Sequence, residues 1–390
     1  MPRNQKDLIT LSSPQSDNGI QGTAGSPLGT ELVAQEIGVD IGLLDGAASI
    51  PPEIDSQRRV AADLSRPLDE RLEAYEDIID SEVGDTTLTR GRNLEREVGL
   101  RQIYLKFEGG HPSGSQKDRI AFAQALDALR RGFDTVTAAT CGNYGAAVAL
   151  AASLAGLRCI IYIPTSYHAK RVGEIMKFGA EIERRGDDYE TAVVLSRERA
   201  EREDLYDANP GGPNTPIQLQ AYGEIAYEIY DELRDAPAAV AVPVSNGTTL
   251  AGLHKGFVSL YRRGKTSRMP RMIAGSSFRK NPIVRAFVGN LPHCEDLEPG
   301  RVRETPVNEP LVNWHSIDGD HALQAIRETG GWATDASDKS MLDYARLIRE
   351  REGLSVLPAS TAGLAAMAQG HQKEPLPGDR YVVLLTGRKA

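Results

Sequence analysis

The sequence predicts an α/β protein built on parallel sheets with helices packed on both faces. Three observations carry that expectation. From about residue 103 onward, short apolar runs alternate with helical patterns, as strands joined by helical crossovers do. Glycine, proline and hydroxyl residues mark the junctions, so the turns are tight. The chain has 390 residues, 40% hydrophobic and 25% charged, an ordinary globular composition with length for two or three domains.

The elements follow in order. Residues 1–54 are rich in Ser, Gly, Gln and Asp and read as a flexible or arm-like extension. From about Asp55 to Asp80 the pattern becomes charged and helical. IYLKFE is a strand, and RIAFAQALDALRRGF a helix with Phe122, Leu126 and Leu129 on one face at i, i+4 and i+7. TVTAA is a strand. YGAAVALAASLAG is a helix opening at about Tyr144 and closed by Gly156. RCIIYIP is a strand stopped by Pro164, AKRVGEIMKFGA a helix and EIERR a short strand. AAVAVPV, TTLAGLHKGFVSLYRR and RMIAG read as strand, helix and strand. REGLSVLPASTAGLAAM places an apolar strand before a small-residue helix opening at Pro358 to Ser360, and YVVLLTGRKA closes with an apolar strand.

Charge and cysteine usage exclude several functions. The net charge is -9 without a basic cluster, which speaks against nucleic acid and anionic membranes as partners. Cys141, Cys159 and Cys294 are too few and scattered for a disulfide framework, and no CxxC pair suggests zinc. AAVALAASLAGL is too short to span a bilayer, and the first residues lack the apolar core of a secretory signal. The expectation is a reduced, cytoplasmic, soluble protein without a metal.

Parallel α/β folds place their sites where strands run into helices, and the junctions here hold the chemistry. In FEGGHPSGSQKDRIAF, glycines approach a helix at whose mouth sits Lys117, with Ser113 or Ser115 as candidate caps. The positive end of a helix dipole is unfavourable for a cation, and an uncharged amine is what attacks a carbonyl. The plainer reading is an exposed lysine paired with Asp118. In ATCGNYGAAVA, a helix start beside Asn143 suits a carboxylate or phosphate; an ordinary turn and cap is the plainer reading. Ser245 to Thr249, between AAVAVPV and its helix, offer amides and hydroxyls to a phosphate, yet match neither GxxxxGK[ST] nor GxGxxG. Thr386 ends the last strand with a hydroxyl.

From about Tyr75 to the C-terminus these segments resemble the fold type II pyridoxal-phosphate enzymes, and most of all threonine synthase. GDTTLTRGRNLEREVGL, SGSQKDR, TCGNYGAA, VPVSNGTTLAG and LLTG resemble that family's segments in order, as do FRKNPIVRAF, NEPLVNW and EGLSVLPASTAGLAAM. The resemblance implies two doubly wound parallel-sheet domains with pyridoxal 5'-phosphate between them, as in the tryptophan synthase β subunit. The large domain would take 55–131 and 214–390, and a smaller mobile domain 132–213. Lys117 would carry the Schiff base and act as catalyst. Asn143 would lie beside the ring oxygen, Ser245, Asn246, Gly247, Thr248 and Thr249 would hold the phosphate, and Thr386 would face the pyridine nitrogen. Ser113, Thr140, Cys141, Gly142 and Tyr144 would bind substrate.

The implied reaction is that of a lyase turning O-phosphohomoserine into threonine and phosphate, with Lys170, Arg171, Arg279 and Lys280 as candidates for the second anion. The alternative is elimination or replacement at the β carbon of serine, threonine or an O-activated serine. A catalytically inactive homologue and a tryptophan-synthase-like complex rank lower. A homodimer acting on a small amino acid is expected. Gln116, His111, Cys141, Thr87 and the hydroxyl-rich phosphate loop depart from the family pattern, which places the substrate in question more than the cofactor.

Overall fold

The structure is a computed structural model that describes residues 52–140, 142–165 and 171–389. The expected N-terminal arm as far as residue 51, Cys141 and Lys170 lie outside the described residues. In chain order the helices are α1 (Pro52–Ala61), α2 (Leu68–Glu82), α3 (Arg92–Val98), α4 (Lys117–Arg130), α5 (Asn143–Ala155), α6 (Val172–Lys177), α7 (Tyr189–Glu203), α8 (Thr215–Leu233), α9 (Thr248–Arg262), α10 (Pro282–Val288), α11 (Gly319–Glu328), α12 (Asp338–Glu352) and α13 (Ala362–Lys373). The strands are β1 (Leu88–Arg90), β2 (Ile103–Phe107), β3 (Thr135–Ala139), β4 (Arg158–Ile163), β5 (Glu181–Arg184), β6 (Tyr206–Asp207), β7 (Ala239–Pro243), β8 (Arg271–Ser277), β9 (Trp332–Ala336) and β10 (Tyr381–Leu385).

Two sheets result. The six-stranded sheet runs β1-β2-β10-β7-β8-β9, parallel throughout except for β1, which pairs antiparallel with β2. The four-stranded sheet runs β5-β4-β3-β6 and is wholly parallel. Every residue of β3, β7 and β10 is buried. Continuous apolar runs such as YVVLL are therefore required there, because helices cover both faces.

Helix packing is close wherever side chains are small. α5 is largely alanine, buried on nearly all sides, and ends at Gly156 in the left-handed region (φ 68°). Tyr75 of α2 stacks on Phe122 of α4, and its hydroxyl donates to the Ala151 carbonyl of α5 at 3.1 Å. α8 and α9 nearly touch: a Cβ on Gly256 would fall 2.4 Å from the Gly223 carbonyl oxygen. The same crossing seats Tyr222 of α8 against Gly252 of α9.

Three expectations need correction. The apolar run before Pro358 is not a strand. Val356 makes one isolated bridge to Arg388, and Leu357 donates to the Gly387 carbonyl at 2.9 Å. Pro358 then has no N–H with which to extend the pairing. The helix expected over AKRVGEIMKFGA covers only Val172–Lys177 among the described residues. Leu126 is half-buried, whereas Phe122 and Leu129 are buried. Among the described residues no helix is long and apolar enough to cross a membrane, and no side-chain cluster could hold a metal ion.

Candidate active site

The site starts with the turn into α4. Lys117 is the first helical residue, and its amide donates to Ser115 Oγ at 3.3 Å. Ser113 does not cap the helix. Its N–H donates to Asp118 Oδ2 at 2.8 Å, and its buried hydroxyl has no partner. Asp118 is therefore turned back onto the preceding loop, and the expected Lys117–Asp118 pairing does not form. Lys117 makes no ion pair among the described residues. Its Nζ donates to the Tyr222 hydroxyl at 3.3 Å and lies 5.8 Å from the ring centres of both Tyr144 and Tyr222.

Behind the lysine lies a buried ionic network. Arg119 donates to Glu108 at 2.6 and 3.0 Å and to Glu228 at 2.6 and 2.9 Å, and Lys106 also pairs with Glu228. Burial alone pushes the Glu108 carboxyl up, but Arg119, with Lys106, overrides it and holds the group down at about 2. His111 ties the GDTT segment to this network. One ring nitrogen bonds the Glu108 carbonyl at 3.0 Å, and the other accepts from the Gly84 amide at 3.2 Å.

The second junction follows β3. Thr140 Oγ1 accepts from the Gly145 amide at 3.1 Å and folds the loop onto the start of α5. α5 opens at Asn143, one residue earlier than Tyr144. Asn143 Oδ1 accepts from Arg171 at 2.8 Å; Arg171 also donates to the Ser113 carbonyl and pairs with Glu174. The Tyr144 hydroxyl is tied up, donating to the Ala208 carbonyl at 2.5 Å and accepting from Gln124 at 2.7 Å. Its ring rather than its hydroxyl faces the lysine.

The third junction follows β7. Gly247 is left-handed (φ 94°), and α9 begins at Thr248. The amides that open a helix have no intrahelical partner, and the helix dipole favours an anion beside them. The Ser245 carbonyl is held by Asn281 at 3.0 Å and Ser316 at 3.1 Å, and Asn246 Oδ1 accepts from Asn313 at 3.2 Å. Thr249 Oγ1 accepts from Gln116 Nε2 at 3.0 Å. The Gln116 amide donates to the Thr386 carbonyl at 2.9 Å. Gln116 thereby joins the lysine turn, the loop after β7 and the end of β10.

One cavity of about 920 Å³ lies at the carboxyl ends of β3, β7 and β10. Lys117, Thr140, Gly142, Asn143, Tyr144, Ser245, Asn246, Gly247, Thr248, Thr249 and Thr386 all line it, and Ser113 lies outside its wall. Of the candidates for a second anion, Arg171 lines it, whereas Arg279 and Lys280 do not. Lys280 instead donates to the Arg303 carbonyl at 2.6 Å. Sequence reasoning missed Tyr222, Glu309 and Arg303, which also line the cavity.

Residues 79–387 match the family described as pyridoxal-phosphate dependent enzyme. The chain belongs to the fold type II pyridoxal-phosphate enzymes. It is 28% identical over 305 residues to threonine synthase of Methanocaldococcus jannaschii, covering 78% of this chain and 74% of that one. Over 309 residues it is 30% identical to threonine synthase of Halalkalibacterium halodurans, covering 78% and 82%. Among solved structures it is similar to maize serine racemase (TM-score 0.66, 19% identity, covering 82% and 94%). The processed form of threonine deaminase isoform 2 from Solanum lycopersicum is also similar (TM-score 0.66, 17% identity, covering 82% and 90%). These structural likenesses bear on the fold.

The cofactor of this family is pyridoxal 5'-phosphate, and the cavity fits it. Among the described residues Lys117 has no counter-ion, it and the two hydroxyls at the start of α9 line the cavity, and the buried Gln116 Oε1 has no partner. Lys117 would hold the aldehyde, residues 245–249 the phosphate, Asn143 the ring oxygen and Thr386 the ring nitrogen.

Proposed function

We propose that this enzyme is a lyase of the threonine-synthase kind, releasing phosphate from O-phosphohomoserine and forming threonine. The observation that carries the reading is Lys117, the match to the family's lysine, which faces the cavity with no carboxylate partner among the described residues. Similarity to the two threonine synthases over most of the chain supports the substrate.

The bound cofactor supplies the electron sink for chemistry at the substrate's α carbon. The Lys117 amine takes up the α proton, and Tyr222, at 3.3 Å, orients it by accepting one of its hydrogen bonds. Thr140 shapes the loop that would receive the substrate carboxylate. Thr386 offers a neutral hydroxyl to the ring nitrogen, a weaker support for its protonation than a carboxylate. Arg171 is a cation on the cavity wall for the second anion, although Glu174 offsets part of its charge, and Arg303 and Lys389 also line the cavity. The segment 132–213 would close over the large domain, 55–131 with 214–390, and exclude water. The enzyme would act as a homodimer.

A second reading has its own support: elimination or replacement at the β carbon of serine, threonine or an O-activated serine. Arg279 and Lys280 lie off the cavity, and Glu304 and Glu309 line it beside Arg303, which offsets the positive charge available to a distal anion. Incubating the cofactor-loaded protein with O-phosphohomoserine decides between them. Catalytic release of phosphate together with threonine upholds the first reading. Neither product, with ammonia and a keto acid released from serine or threonine, replaces it with the second.

A further inference from the structure

The two threonines that open α9 are set in opposite ways by their neighbours. Thr249 Oγ1 accepts from Gln116 Nε2 at 3.0 Å, so its own proton is available to the cavity. Thr248 Oγ1 is bonded instead to Asp318 Oδ2. An ionised carboxylate only accepts, so an ionised Asp318 takes the Thr248 proton and turns it away from the cavity.

Asp318 is built into the loop from behind. Its amide donates to the Asn246 carbonyl at 2.9 Å, and a Cβ on Gly247 would fall 2.8 Å from the Asp318 carbonyl oxygen. The side chain is only 3% exposed. Among the described residues the ionisable group beside it is His321, whose Nδ1 lies 3.9 Å from Oδ1 on an exposed side chain. Asp320, two residues on, is turned to His293 and the Cys294 amide. Burial pushes the Asp318 carboxyl up, against the Thr248 hydrogen bond and His321.

We propose that Asp318 is a proton-carrying member of the cofactor-phosphate site. It takes up one proton when the phosphate binds at residues 245–249, and the neutral acid then donates to Thr248. A phosphate dianion brought against a buried carboxylate is a like-charge pair, and it would face the lone pairs of Thr248. One proton from solvent on Asp318 Oδ2 removes both conflicts. Thr248 keeps its own proton, rotates, and donates it to the phosphate. The proposal rests on residues 245–249 being the phosphate loop, and the pyridoxal control below tests that separately.

The experiment strips the full-length enzyme of cofactor and titrates it with pyridoxal phosphate and with pyridoxal across pH 5.5 to 8.5, in wild type and Asp318→Asn. Asparagine mimics the protonated acid, because it donates to Thr248 without charge. A one-proton linkage changes Kd by at most about tenfold per pH unit. The expected result is a ratio of wild-type to variant Kd for pyridoxal phosphate that rises with pH, by up to about tenfold per pH unit where a full proton is taken up, with a flat ratio for pyridoxal. The phosphate's own titration cancels in the ratio. A flat ratio for both ligands overturns the proposal, provided pyridoxal phosphate still binds more tightly than pyridoxal. Equal affinity for the two ligands overturns the phosphate-loop reading as well. Should Asp318→Asn fail to fold, calorimetry of the wild type in buffers of different ionisation enthalpy decides the matter. Proton uptake with pyridoxal phosphate beyond that from pyridoxal and the phosphate itself upholds the proposal, and none overturns it.

Discussion

The turn into α4 has two sides with opposite electrostatic character. On the cavity side, Lys117 meets a tyrosine hydroxyl and two aromatic rings but no carboxylate. On the other side, two residues later, Arg119 is gripped by Glu108 and Glu228, with Lys106 completing a balanced pair of cations and anions. A cation paired from two directions anchors the fold, since a buried charge is tolerated only with partners. Lys117 has no counter-ion among the described residues, which is what the proposed catalytic role requires. Lys117, Asp118 and Arg119 of the SGSQKDR segment thus split into one side chain that lines the cavity and two that are tied into the surrounding loop and ionic network.

That contrast can be broken from either side. Lys117→Ala should have the largest effect on turnover, a loss of about a thousandfold or more as expected for removal of a positioned base, with the melting temperature nearly unchanged. Steady-state kinetics beside a thermal melt checks both halves. Arg119→Met should do the reverse. It leaves Glu108 and Glu228 facing each other in the interior and should cost about 3–5 kcal/mol of stability, read from denaturant unfolding.

Acid sharpens the same point. Glu108 is held at about 2, and Glu228 lies below its ordinary value because Arg119 and Lys106 outweigh its burial. Depressed carboxyls stabilise the fold fully above the unfolded value, near pH 4.5, and that stabilisation is lost as the pH falls toward 2. Unfolding measured between pH 6 and pH 3 should show wild type losing stability on acidification, and Arg119→Met should lose less. Tyr222→Phe should have the smallest effect. It removes one hydrogen bond to Lys117, worth about 1 kcal/mol, so kcat should fall several-fold with little change in KM.

The sequence makes the strand-to-helix junctions legible because each is a contiguous turn. Lys117, Asn143 and residues 245–249 announce themselves through small residues placed between an apolar run and a helix, and Thr386 through its place at the end of the last apolar run. Their convergence on one cavity takes both sheets, because Asn143 follows β3 of the four-stranded sheet whereas residues 245–249 and Thr386 follow β7 and β10 of the six-stranded one. Tyr222 is hidden because it sits mid-helix in α8, where a tyrosine in an apolar pattern reads as core. Asp318 is hidden because it comes from the end of a long irregular stretch and reaches the phosphate loop only through tertiary packing. Gln116 is visible as a departure from the family, but its bridge to Thr249 exists only in three dimensions. The strand expected before Pro358 failed because an apolar run signals burial and not pairing.

The most direct test of the lysine assignment is chemical. Reduce the cofactor-loaded enzyme with borohydride, digest it, and locate the pyridoxyl group by mass spectrometry. The expected result is one modified peptide carrying the label on Lys117. A label on another lysine, or a cofactor that is never fixed to the chain, would contradict the account.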